Sequence, residues 1–170
     1  MSKAASLIAL LLVAAPLGGC GLTPLYTGGG SGPIAGTLGE VEVAPIEGKA
    51  GWLVSGALQE RLTAIGGGSA RYRLNVRLDD QIVGLGARSD DSVARERRTL
   101  RARYQLIDAA SGSVVLDATA GSDAGIDVVG SEYATIAAES TALERLSETI
   151  ADQIVARLAL YARRTQPPTP

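Results

Sequence analysis

The sequence has no histidine and no phenylalanine, a single cysteine, a single tryptophan, and aromatics at only 4% of its residues. Without histidine the commonest general base and the commonest metal ligand are both missing. Every Ser/His/Asp and Cys/His nucleophile arrangement is excluded with them. One cysteine cannot close an internal disulfide, so the chain is no disulfide-stapled scaffold. A strong excess of one charge is lacking too. Sixteen Lys and Arg against eighteen Asp and Glu leave a formal net charge of −2, which argues against a nucleic-acid binder. The acid pairs Asp79-Asp80 and Asp90-Asp91 read as parts of connections, and no carboxylate falls in an apolar stretch that would raise its pKa. The composition therefore predicts neither enzyme nor cofactor.

What is present begins at the N-terminus. Lys3 is followed by an apolar run from Ala4 to Ala15, then Pro16 and Leu17-Gly18-Gly19-Cys20. The run suits a signal-peptide core and is too short to cross ~30 Å of hydrocarbon as a helix. Small residues before the cysteine let the backbone lie extended in a peptidase groove, and Leu-Gly-Gly-Cys resembles the lipobox of bacterial lipoproteins. Residues 1–19 are expected to be a signal peptide, with Cys20 carrying a covalent N-acyl diacylglycerol. No later apolar run approaches the ~18 residues of a spanning helix. Removing residues 1–19 leaves fifteen basic against eighteen acidic residues, in a length that suits one domain. Gly21, standing where an Asp retains lipoproteins at the inner membrane of enteric bacteria, favours outer-membrane sorting.

Residues 20–37 contain Thr27-Gly28-Gly29-Gly30-Ser31-Gly32-Pro33 and read as a lipidated N-terminus with a flexible tether. From Leu38 to Ile46 a strand is expected, alternating best over residues 40–44. Ala50 to Ile65 has a helical apolar face through Trp52, Leu53, Leu58, Leu62 and Ile65. Residues 71–85 alternate cleanly, with Tyr72, Leu74, Val76 and Leu78 on one side. Residues 93–108 repeat the design through Leu100, Ala102, Tyr104 and Leu106, and a further strand runs from 113 to about 120. A long helix from Glu132 to Ala162 shows a stripe through Tyr133, Ile136, Leu143, Ile150, Ile154 and Leu158. The fold class is α+β: two helices on one face of a four-stranded, largely antiparallel sheet, in the order β-α-β-β-β-α. The domain spans residues 38–163, and residues 164–170 form a disordered Pro-rich tail.

One charge pattern stands out. Residues 71–103 hold nine of the sixteen basic residues, all of them Arg, against five acids. Arg71, Arg73, Arg77, Arg95, Arg97, Arg101 and Arg103 occupy odd positions, so they project from one sheet face if the strands pair in register. Guanidinium groups so arranged require a counter-charge and fit phosphate or carboxylate. The residues leave two readings open: a solvated face that keeps the sheet soluble, or a docking face for an anionic partner. Aromatic interleaving is absent there, which argues against single-stranded nucleic acid.

Three blocks carry a family resemblance: Cys20-Gly21-Leu22-Thr23-Pro24-Leu25-Tyr26, the stretch from Val43 to Trp52, and Tyr133-Ala134-Thr135-Ile136-Ala137-Ala138-Glu139. They resemble the lipopolysaccharide-assembly lipoprotein family LptE in its alphaproteobacterial form. The resemblance implies two helices on a four-stranded sheet and a non-enzymatic role. It implies a plug inside the outer-membrane β-barrel LptD, assistance to that barrel's folding, and contact with lipopolysaccharide during its insertion into the outer leaflet. Cys20 would be the lipid site, holding the protein to the periplasmic side of the outer membrane. A free-standing lipid-binding lipoprotein, or an accessory subunit of another envelope transporter, is the competing reading.

Overall fold

The computed structural model describes residues 33–65, 68–87 and 93–165. The expected signal peptide, Cys20, most of the tether, Arg88, Asp90-Asp91 and residues 166–170 lie outside these. Along the chain come α1 (Pro33–Gly39), β1 (Val41–Val43), α2 (Gly48–Thr63), β2 (Tyr72–Ala87), β3 (Val93–Asp108), β4 (Val114–Asp127) and α3 (Glu132–Thr165). The strands form one sheet in the order β1-β2-β3-β4; β1 runs parallel to β2, and the other pairs are antiparallel.

Burial follows the sequence periodicity through the middle of the sheet. Leu74 and Val76 of β2 and Leu100, Ala102, Tyr104 and Leu106 of β3 are buried on one face. Onto that face pack Val54, Leu58 and Leu62 of α2 and Leu143, Leu146, Ile150, Ile154 and Leu158 of α3. Each such side chain removed from water contributes roughly 1.5–3 kcal/mol. Ser147, buried within the α3 stripe, donates its hydroxyl to the Leu143 carbonyl at 2.8 Å, so its polarity is satisfied inside the helix. At the start of α2 only glycine fits position 51, because a Cβ would strike the Ile46 carbonyl. The β3–β4 turn is held by Asp108, whose carboxylate accepts from the Ser111 amide at 2.9 Å. That bond, with the Ser111 hydroxyl's, holds the carboxyl below its ordinary range.

Five expectations need correction. The strand expected from Leu38 is only Val41–Val43, because Leu38 belongs to α1. That helix ends the tether earlier than Thr37: Pro33 suits a first helical position, and Ala35 and Leu38 are buried against the body. Strand β4 runs past Ala120 to Asp127, since β3 supplies ladder partners out to Arg95. Asp79 and Asp80 lie within β2, not in a connection. Helix α3 continues past Ala162 to Thr165, taking Arg164 and Thr165 out of the expected tail.

Trp52, Tyr133 and Ile136, read as members of buried stripes, are exposed at 75%, 88% and 52%. The α3 helix is 34 residues long, about 51 Å at 1.5 Å per residue, and its first two turns overhang the body.

Candidate functional site

Both long helices lie on the even-numbered side of β2 and β3, which leaves the odd-numbered side bare. Arg71, Arg73, Arg77, Arg95, Arg97, Arg101 and Arg103 are all exposed on that side. The shared parity read from the sequence holds. Register brings the arginines together across strands: Arg77 stands opposite Arg103, Asp79 opposite Arg101, Val83 opposite Arg97 and Leu85 opposite Arg95.

Part of the counter-charge comes from β4, one strand further out. Arg103 reaches Asp117 at 3.1 Å, and Gln105 donates to the same carboxylate at 2.8 Å. Arg95 reaches Asp127 at 2.9 Å. Arg71 has Asp108 at 4.0 Å and also lies 5.2 Å from the centre of the Tyr72 ring, a cation–π placement. Arg73, Arg77, Arg97 and Arg101 form no ion pair with a described residue.

Arg101 lies flat across the sheet over Gly121, its neighbour in the β3–β4 register. A Cβ at position 121 would run into its guanidinium, so the glycine is what lets it lie there. Together Arg77, Asp79, Arg101, Arg103, Thr119 and Gly121 line an open depression of about 600 Å³.

The Arg103 and Gln105 contacts hold the Asp117 carboxyl below its ordinary range, the arginine contact being the larger cause. A depressed carboxyl contributes stability that is present above its unfolded value, near pH 3.9, and is lost as pH falls through the folded value. Arg103→Gln is expected to raise the Asp117 midpoint towards the ordinary value in a carboxyl-carbon NMR titration. An unmoved midpoint would break the assignment of that pair.

The odd-position reading missed Arg98, which points to the helix side. Its guanidinium makes two bonds to Asp80, at 2.9 and 2.6 Å, and a third to the Glu139 carbonyl of α3 at 2.9 Å. The Arg98 side chain is only 12% exposed. The pair fastens the overhanging start of α3 to the far end of the sheet. Matching even parity of Asp80 and Arg98 was the signal available in the sequence. The counter-charge Asp127 was hidden because β4 was expected to end near Ala120.

Among the described residues no group of His, Cys, Asp and Glu could hold a metal ion. The arrangement offers no nucleophile with a base. It offers a flat cationic surface.

The sequence profile of the family described as "LptE: Lipopolysaccharide-assembly" matches residues 38–158. The chain belongs to the LptE family. Two of the three blocks that carried the resemblance fall inside the matched span. A lipoprotein of Caulobacter crescentus CB15, solved at 2.40 Å, superposes with a TM-score of 0.67 at 26% identity, over 81% of this chain and all of that one. A minor lipoprotein of Acinetobacter baumannii superposes at 0.59 with 16% identity, over 75% of this chain and 97% of its own. Rare lipoprotein B of Shewanella oneidensis does so at 0.54 with 13% identity, covering 73% and 95%. The last two likenesses show the fold alone. No curated protein sequence matches the chain. As an LptE-family member it is a lipopolysaccharide-assembly lipoprotein of the cell envelope. The family is non-enzymatic, works without a cofactor, and acts with the lipopolysaccharide transport machinery.

Proposed function

We propose that this domain is the plug of an LptD-type outer-membrane β-barrel. On this reading a lipid on Cys20 anchors it at the periplasmic side of the outer membrane, and the bare arginine face meets anionic groups. Those groups are lumenal carboxylates or the phosphates of lipopolysaccharide. One observation carries the reading: a broad sheet face left uncovered by both helices, with the guanidinium groups of Arg73, Arg77, Arg97 and Arg101 free of ion pairs among the described residues. Barrel interiors are polar, so a plug needs a hydrophilic contact face. Charge-assisted bonds from arginine to carboxylate or phosphate are among the stronger polar contacts available to it.

Pull-down of the full-length chain through a tag after Pro170, co-expressed with the barrel, should recover a one-to-one complex. Arg77→Gln combined with Arg97→Gln and Arg101→Gln should weaken lipopolysaccharide binding or barrel recovery by about tenfold or more, each lost bond to a charged group being worth roughly 1.5–3 kcal/mol. Arg103→Gln should do less, since Asp117 already engages that side chain. If the triple variant binds both partners like the wild type, the arginine face plays no part.

A further inference from the structure

The two edges of the sheet differ. On β4, the outward N–H and C=O of Gly121 are both taken by the Gln153 side chain of α3, at 3.0 and 3.3 Å. On β2, β1 covers only Tyr72 to Leu74. The Ala44 amide makes the last bond, to the Leu74 carbonyl at 3.0 Å, and Pro45 then leads the chain away. The backbone groups of Tyr72 and Leu74 point towards β1, so by strand alternation those of Val76, Leu78, Asp80, Ile82 and Gly84 point the same way. None of these five has a backbone partner on that side among the described residues.

Proline, lysine and a bulge, three devices that blunt an edge, are missing there, although Arg77, Asp79 and Asp80 place charge along it. Residues 75 to 85 of β2 contain no Pro and no Lys, and their register with β3 shows no shift. Exposed apolar side chains accompany the open edge: Ile82 at 41%, Val83 at 53%, and Ile136 and Tyr133 on the overhanging turns of α3. Those turns set out from Glu139, whose carbonyl is held by Arg98, the register neighbour of Ile82.

We propose that the free edge of β2 from Val76 to Gly84 is a strand-addition site, occupied by an extended polypeptide segment of the barrel partner. This rests on the plug reading above. The edge chemistry selects a polypeptide, because donors and acceptors recurring every second residue, roughly 6.6–6.8 Å apart, match another strand and no acyl chain. The strands of a closed barrel wall are already paired, so the segment is a loop or terminal stretch entering the lumen. Its side chains alternate: apolar towards Ile82 and the α3 overhang, and acidic where it passes the unpaired Arg77.

A second copy of the chain fits less well. Two-fold pairing centred on Leu78 sets Arg77 against Asp79, but β1 blocks it beyond Val76. Centres further out set Asp79 or Asp80 against an aspartate or an apolar residue.

The test uses the full chain purified with its barrel. In the complex, amide hydrogen exchange at Leu78, Asp80, Ile82 and Gly84 should slow by about tenfold or more relative to the free chain. The Ile82→Pro/Gly84→Pro variant removes two outward donors and leaves the β2–β3 ladder to the odd-numbered residues. It should keep the wild-type circular dichroism and lose about tenfold or more in barrel affinity. Unchanged exchange at these amides within an intact complex overturns the strand addition while leaving the plug standing. Failure of the wild type to form any complex overturns both. Protection that grows with the concentration of the chain alone points to self-pairing and also overturns the proposal.

Discussion

Leu100→Ala should remove about 3–5 kcal/mol of unfolding free energy, a large part of the roughly 5–15 kcal/mol available to a domain of this size. Leu100 is fully buried on β3, beneath the helix layer. Its strand is paired on both sides, Leu100 facing Asp80 of β2 and Ser122 of β4. A strand locked between two ladders cannot move inwards to fill a vacated space, so the cavity persists and its full penalty is felt. The shorter side chain also suits a strand less well than leucine. Urea unfolding followed by circular dichroism measures the loss directly. A change below about 1 kcal/mol would mean that the helix layer collapses onto the gap, contrary to the close packing described.

Cys20→Ser should abolish incorporation of labelled palmitate altogether. The chain has one thiol, so no second cysteine can take the acyl groups. No helix among the described residues is long and apolar enough to cross a membrane. If Cys20 carries the lipid as proposed, its acyl chains supply the attachment, each buried methylene contributing about 0.8 kcal/mol. The measurement is label retained on the immunoprecipitated protein, with a mass spectrum of its N-terminal peptide. Label persisting at the wild-type level would remove Cys20 as the lipid site. The domain itself should fold as before, because the described core begins at α1 and includes nothing near Cys20.

The centre of this fold was readable from periodicity because each residue there has one job. Tyr72, Leu74 and Val76 alternate with Arg71, Arg73 and Arg77, and a sheet with one covered face must sort them in that way. The margins were harder to read for separate physical reasons. Residues 33–46 alternate weakly, and helix or strand was decided there by tertiary burial of Ala35 and Leu38. Residues 121–127 are Gly, Ser, Asp and Ala with a single Ile, poor strand formers that pair because β3 is long enough to hold them. The apolar stripe of α3 was read on through Tyr133 and Ile136, which are exposed, because periodicity cannot say where the sheet beneath a helix stops. The arginine face was legible as a parity. Which of its members are free was not, since that depended on the register that brings Asp117 to Arg103 and on Asp127, from a strand segment that sequence pattern did not reveal.

The Gln153 side chain that occupies Gly121 has a consequence for stoichiometry. It occupies the outward N–H and C=O of one residue in the middle of that border, so a strand docking along β4 would have to displace it. On the strand-addition proposal, a domain open along β2 and capped at the middle of β4 favours a single partner. Such a domain favours ending an assembly over propagating one into a fibre.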